Sequence, residues 1–137
     1  MTITLVPAHS ADEFVAPVLR SRAWKAPRLS TVHLLRAMAG GTEEALVVLD
    51  IHSGSDCVIL YEIFLCSERR NRGIGTKVLS AIEAYAKASG VGCVEVWPRS
   101  LDSRDRSDAQ LERWYRGHGY VSAQAGSERL RKVLPPA

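Results

Sequence analysis

The sequence predicts a single α+β domain, in which helices flank a mixed sheet of about six to seven strands. Short segments that alternate in polarity or are continuously apolar recur along the chain, and these are typical of strands. Two longer segments carry helical periodicity and cap residues. In the second half, a strand, a helix and another strand follow one another, which is the order that makes two strands parallel. The 137 residues suffice for one core, so we expect residues 1–137 to form one domain.

The first elements are a strand and a helix. Residues 2–6 alternate between polar and apolar and predict a short strand that ends near Pro7. Ser10 and Glu13 have the spacing of a capping box, so a helix is expected over 11–22. Pro17 lies inside that helix and predicts a kink or an early break, because proline lacks the backbone N–H that a helix interior needs.

A hairpin and a buried strand are predicted next. The apolar segments 31–38 and 45–52 are separated by Gly40-Gly41, a pattern typical of a hairpin. The first segment also fits a helix, because its leucines and Met38 share one helix face. Residues 57–66 are almost continuously apolar, which indicates a central strand covered on both faces.

The second half begins with an amphipathic helix, whose Leu79, Ile82 and Ala86 share one face. A second capping box, at Ser107 and Gln110, opens a shorter helix. In chain order, the remaining predicted elements are a helix over 76–89, a strand over 92–97, a short helix that carries Leu111, Trp114 and Tyr115, and strands over 120–124 and 128–134.

A basic, glycine-containing turn joins the strand at 57–66 to the helix at 76–89. Residues 69–76 read Arg-Arg-Asn-Arg-Gly-Ile-Gly-Thr. A turn of this kind directs backbone N–H groups and the positive end of a helix at one point, which attracts a phosphate. A dinucleotide-binding motif would need a third glycine where Val78 stands, and no P-loop signature occurs.

Composition excludes several classes of protein. The formal net charge of +3 is too small for a dedicated nucleic-acid binder. The three cysteines, Cys57, Cys66 and Cys93, lack paired spacing, so we expect no disulfide framework, a reducing cytoplasm and no zinc site. The N-terminus lacks the pattern of a signal peptide, and the apolar runs are too short to cross a membrane.

Two segments resemble the GNAT superfamily of N-acetyltransferases. Residues 64–75 are similar to the family's central strand and its R-x-x-G-x-G acyl-CoA loop, here Arg70 to Gly75. Residues 111–120, Leu-Glu-Arg-Trp-Tyr-Arg-Gly-His-Gly-Tyr, are similar to its later aromatic motif. The resemblance implies a GNAT-like sheet with a splayed parallel strand pair, acetyl-CoA as cosubstrate and no metal. Pro98-Arg99 departs from the asparagine that the family often carries there.

The resemblance also assigns cofactor contacts. Backbone groups near Phe64 and Leu65 would pair with the pantetheine arm, as an added strand does. The basic turn would hold the pyrophosphate. The residues expected to bind the cofactor are Phe64, Leu65, Arg70, Asn71, Arg72, Gly73, Ile74, Gly75 and Thr76.

Two side chains are candidates for proton transfer. Tyr115 aligns with the tyrosine that, in the family, protonates the departing CoA thiolate; the alternative is a core aromatic packed with Trp114. Glu62 is the candidate general base, since a carboxylate can accept the proton of an attacking amine. The alternative for Glu62 is a strand carboxylate paired with a nearby arginine.

These residues predict an enzyme that transfers an acetyl group from acetyl-CoA to a primary amine by direct attack in a ternary complex. The acceptor would be a small-molecule amine or a protein amine, and the sequence leaves its identity open. The alternatives are a non-catalytic CoA-binding regulatory module and a toxin that acetylates aminoacyl-tRNA, the one nucleic-acid partner we keep. We expect a cytoplasmic protein without membrane contact, and the resemblance favours a homodimer.

Overall fold

The computed structural model describes residues 2–66, 73–99 and 106–136, and it confirms the α+β class. Seven strands form one mixed sheet in the order β1-β2-β3-β4-β5-β7-β6. The strands are β1 (Thr4–Ala8), β2 (Val32–Ala39), β3 (Thr42–Asp50), β4 (Cys57–Leu65), β5 (Cys93–Val96), β6 (Val121–Ser122) and β7 (Leu130–Val133), and the helices are α1 (Pro17–Ala23), α2 (Ile74–Ala88) and α3 (Asp108–Gly117). Within the described residues, none of the helices has the length and apolar character needed to span a bilayer.

The helix predicted over 11–22 is broken into two pieces. A single 3-10 turn covers Ala11–Glu13, with the Ser10–Glu13 capping box in place, and the chain then extends before α1 begins. Pro17 occupies the first turn of α1, where its missing N–H would be unpaired in any case and its fixed φ suits a helix. The break that Pro17 predicted is therefore confirmed, but the continuous helix is wrong.

The hairpin is confirmed, and the helical alternative for residues 31–38 is wrong. β2 and β3 pair in antiparallel fashion across Gly40-Gly41. Both glycines have positive φ, 55° and 87°, a region that residues with a Cβ rarely adopt. The leucines of β2 contact neighbouring strands because the sheet continues on both sides of it, which local periodicity could not show.

The two faces of the sheet are covered differently. Helices α2 and α3 cover one face, and the described part of that core has eighteen buried residues, among them Val58, Val94 and Tyr115. Helix α1 covers part of the other face with a cluster of eight buried residues in the described part, which includes Leu46 and Val48. We call these the α2/α3 face and the α1 face.

A β-bulge in β4 decides which side chains point to which face. Val48 of β3 pairs with Glu62, whereas Leu49 pairs with Leu60, so Tyr61 is the extra residue on β4. Without the bulge, Glu62 would follow Leu60 onto the α2/α3 face. The bulge instead turns Glu62 toward α1.

The cysteines correct the expectation that the chain has no disulfide framework. Cys57 and Cys93 form a disulfide between the first residues of β4 and β5, with Cα atoms 4.5 Å apart. Their neighbours Val58 and Val94 belong to the α2/α3 core, so the cysteines lie toward the α1 face. A separation of 36 residues along the chain gave no spacing signal. The pairing depends on strand register, which the sequence does not reveal.

Candidate active site

The C-terminal half of β4 has a free edge. β4 and β5 are parallel, and their pairing covers only Cys57–Leu60 with Cys93–Val96. β5 ends there, while β4 continues to Leu65 and stays paired with β3 on its other side. In the described part of the chain, Tyr61–Leu65 has no strand partner on the β5 side. This opening matches the splayed strand pair that the family resemblance implied, and an extended ligand could pair with its backbone groups.

Helix α2 begins beside this edge. It starts at Ile74, two residues earlier than predicted, and Gly73 precedes it with φ of 76°. The first turn contains no acidic residue, so nothing in it opposes the positive end of the helix dipole. Gly73, Ile74, Gly75 and Thr76 of the predicted cofactor set thus lie at one helix N-terminus. Arg70, Asn71 and Arg72 lie outside the described residues.

Contacts bring the two predicted motifs together. A Cβ atom built on Gly75 would meet the Trp114 ring at 3.5 Å and Leu65 Cδ1 at 3.6 Å, so the first turn of α2 packs between β4 and α3. On the next residue, Thr76 Oγ1 and His118 Nε2 are 3.4 Å apart. The glycine turn and the aromatic motif, about forty residues apart in sequence, therefore line one site.

Tyr115 is buried in the adjoining core, with 4% exposure. Its ring meets Trp114 and Tyr120 edge-on, at centroid distances of 4.9 Å and 5.4 Å. Burial raises the pKa of Tyr115 well above the ordinary phenol value, and the positive charge of Arg106 offsets only part of this. Tyr115 is thus part of the core, as the packing alternative expected. A raised pKa also keeps the hydroxyl protonated, as a proton donor requires.

Glu62 is paired with an arginine that sequence reasoning missed. Arg22 Nε, near the end of α1, donates to Glu62 Oε2 at 2.9 Å. The Arg22 guanidinium also lies over the Phe64 ring, 5.6 Å from its centroid. The chain has many arginines that could pair with a strand carboxylate, and forty residues separate these two, so no local signal could have identified Arg22.

A second concavity lies away from these residues. A cleft of about 520 Å³ opens at the N-terminal ends of β4 and β5, lined by Cys57, Cys93, Glu95 and Arg131, among others. Its charges are largely paired, since Arg131 Nε donates to Glu95 Oε2 at 2.7 Å. In the part of the chain that the structure describes, no cluster of His, Cys, Asp and Glu could hold a metal ion.

A match to a family model identifies the protein family of the chain. The model described as the acetyltransferase (GNAT) family matches residues 35–120, which is more than half of the chain. The chain belongs to the GNAT family of acetyltransferases. The match contains Glu62, the basic turn and Tyr115, and it begins after Arg22. No curated protein is similar to the chain at a significant level.

Solved GNAT structures are similar to the chain over nearly its whole length. A GNAT acetyltransferase from Elizabethkingia anophelis with acetyl-CoA bound has 13% identity and a TM-score of 0.65, covering 97% of this chain and 99% of its own. The PaiA N-acetyltransferase from Thermoplasma acidophilum, in complex with coenzyme A, has 16% identity and a TM-score of 0.62, with the same coverage. An acetyltransferase from Thermus thermophilus has 9% identity and a TM-score of 0.64, covering 98% of both chains. Identities this low establish the GNAT fold alone.

Proposed function

We propose that the protein is an N-acetyltransferase that transfers an acetyl group from acetyl-CoA to a primary amine by direct attack in a ternary complex. One observation carries the proposal. The free edge Tyr61–Leu65 ends beside the N-terminus of α2, and Tyr115 belongs to the adjoining core, next to Trp114, whose ring approaches Gly75. Acetyl-CoA needs these three features, namely an edge for its amide-containing arm, an anion site for its pyrophosphate and a proton donor for its thiolate.

Two segments would hold the cosubstrate, which supplies the acetyl group as a thioester. Backbone groups near Phe64 and Leu65 would pair with the pantetheine amides along the edge that β5 leaves open. Gly73 to Thr76, together with Arg70, Asn71 and Arg72, would bind the pyrophosphate. Helix N-termini bind anions through unpaired N–H groups and the helix dipole.

The protein's own side chains would move two protons. Glu62 takes a proton from the acceptor nitrogen, directly or through water, as that nitrogen forms its bond with the carbonyl carbon. Tyr115 gives its hydroxyl proton to the sulfur as the C–S bond breaks. Burial raises the pKa of Tyr115, which keeps this proton in place until a thiolate is formed.

The test is release of CoA thiol with a panel of amines, including polyamines, amino acids, aminoglycosides and peptide N-termini. The proposal predicts acceptor-dependent release with at least one of them and an acetylated product by mass spectrometry. CoA binding without transfer to any acceptor would indicate a non-catalytic binding module, and transfer confined to aminoacyl-tRNA would indicate the toxin activity.

A further inference from the structure

The ion pair between Arg22 and Glu62 has unused hydrogen-bonding positions. The pair uses Arg22 Nε and Glu62 Oε2. Among residues 2–66, 73–99 and 106–136, the two Nη atoms of Arg22 and Oε1 of Glu62 have no hydrogen-bond partner. The side chains are 26% and 12% exposed, so both remain within reach of solvent. Two open donors therefore lie next to one open acceptor.

Neighbouring residues fix the position of the Arg22 guanidinium before an acceptor binds. The Phe64 ring lies beneath Arg22. Helix α1 is tied to the sheet by Glu43, whose carboxylate accepts the backbone N–H groups of Val15 and Ala16 at 2.8 Å and 2.7 Å. A guanidinium held in this way keeps its planar fork of N–H donors oriented, and that fork matches the two oxygens of a carboxylate.

We propose that the acceptor is an amine with a carboxylate two or three bonds away, an α-amino acid being the simplest case. Arg22 would bind the carboxylate through its Nη atoms, and Glu62 Oε1 would bind the ammonium group. The ion pair brings these positions close together, so the two charges of the acceptor must also be close. This inference rests on the proposed acetyltransferase function and names its substrate class.

Charge explains why a simple amine fits less well. An ammonium ion without an anion would compete with Arg22 for a single carboxylate and leave two cations facing each other. A zwitterion supplies one charge of each sign, so Arg22 and Glu62 each gain a partner while their own bond persists. Hydrogen bonds between charged groups are stronger than neutral ones, which favours the zwitterion.

The reaction balances with these roles. Glu62 accepts the proton of the α-ammonium group, and the freed nitrogen forms a bond with the thioester carbonyl carbon. The C–S bond breaks, Tyr115 protonates the sulfur, and the amide nitrogen loses its second proton to solvent, from which Tyr115 regains the proton that it gave. Arg22 takes no proton. It determines specificity by holding the carboxylate, so its effect is expected mainly on KM.

The experiment compares each of the twenty common L-amino acids with its own carboxamide, at saturating acetyl-CoA, by release of CoA thiol. The carboxamide keeps the amine and the side chain and loses only the negative charge. The amine of the carboxamide is also the weaker base, so a larger fraction of it is unprotonated and nucleophilic near neutral pH. Intrinsic reactivity therefore favours the carboxamide over the amino acid. We expect kcat/KM to be about 10- to 100-fold higher for the best amino acid than for its carboxamide, chiefly through KM.

Variants assign this preference to Arg22. Arg22→Gln should reduce the ratio to near one, and Arg22→Lys should restore part of it because the charge returns without the fork. Arg131→Gln is the matched control, since Arg131 Nε of β7 donates to Glu95 Oε2 of β5 at 2.7 Å in a part-buried pair that does not contact α1. Its ratio should equal that of the wild type.

Several results would overturn the proposal. One is a wild-type enzyme that uses amines but prefers no amino acid over its carboxamide, and another is a preference that survives Arg22→Gln. A preference for an aminoalkyl phosphate over every amino acid would contradict the claim that Arg22 selects a carboxylate on the acceptor. If no amine causes release of CoA thiol, the proposed function fails. Calorimetry of amino acids and their carboxamides with CoA-saturated protein then tests the Arg22–Glu62 binding site alone. An amino acid that binds where its carboxamide does not would support the site, and binding of neither would overturn it.

Discussion

The two faces of the sheet hold their parts of the site by different means. On the α2/α3 face, packing sets the geometry, because a Cβ added to Gly75 would meet the Trp114 ring at 3.5 Å, and Tyr115 belongs to a core of eighteen described residues. On the α1 face, the described cluster is smaller, and polar links supplement it, including the Arg22–Glu62 pair. A packed face offers one arrangement, whereas ion pairs with open positions can accept new partners. The proposed cosubstrate side is thus held mainly by packing, and the proposed acceptor side is held also by polar links.

The largest expected effect concerns the covalent link on the α1 face. Cys57→Ser removes the disulfide to Cys93, and for a sequence separation of 36 residues the chain-entropy estimate is a loss of about 3 to 4 kcal/mol in the free energy of unfolding. Urea unfolding without reductant measures it, and wild type with reductant should behave like the variant. Equal stability of variant and oxidised wild type would mean that packing alone holds this face.

The next effect separates chemistry from packing on the α2/α3 face. Tyr115→Phe removes the proposed proton donor, so turnover should fall about 100-fold or more while CoA affinity changes less than about threefold. Steady-state kinetics and calorimetry measure the two quantities.

Tyr120→Phe is the control, because Tyr120 touches Tyr115 but donates its hydroxyl to Glu83 at 2.9 Å. It should lower stability by about 1 to 2 kcal/mol and leave most of the turnover. If both variants lost turnover equally, Tyr115 would be a packing residue.

A smaller effect, dependent on pH, concerns the attachment of α1. Burial raises the pKa of Glu43, but hydrogen bonds from Ala16, Val15 and Arg36 outweigh it, so the pKa lies below 4.5. A carboxylate whose pKa is lower in the folded state than in the unfolded state stabilises the fold at pH values above the unfolded-state pKa. This stabilisation is lost as the pH falls through the folded-state pKa. Glu43→Gln should cost about 1 to 2 kcal/mol near pH 7 and progressively less below pH 4.5. A pH-independent difference in urea unfolding would contradict this account.

The smallest effect is at the N-terminus of α3. Ser107 accepts the backbone N–H of Gln110 at 3.1 Å, and the Gln110 side chain bonds back to Ser107. Ser107→Ala should cost about 1 kcal/mol in thermal or urea unfolding. A cost near zero would mean that the contacts of Trp114 and Tyr115 alone fix this helix.

Local chemistry made much of the fold predictable. Capping boxes located the start of the 3-10 turn and of α3, and Gly40-Gly41 located the hairpin. The strands were predicted from the polarity pattern of each segment, and the parallel pair was predicted from the strand–helix–strand order. The approach of Trp114 to Gly75 was not predicted, because no local pattern links residues so far apart in the sequence.

Long-range pairing was not predictable. The bulge at Tyr61 depends on register between β3 and β4, and it decides that Glu62 faces α1. The bonds of Arg22 to Glu62 and of Cys57 to Cys93 span 40 and 36 positions. A sequence contains such residues without indicating which partner the sheet will bring within reach.

Calorimetric titration of CoA into the purified protein tests the central claim most directly, because every role assigned to the free edge of β4 and to α2 depends on it. The account predicts one CoA bound per chain. It also predicts weaker binding by Gly73→Val, since φ of 76° strains a residue with a Cβ and displaces the start of α2. Gly54→Val, with φ of 79° in the turn before β4, should bind like the wild type. No binding at millimolar CoA, or equal loss in both variants, would contradict the account.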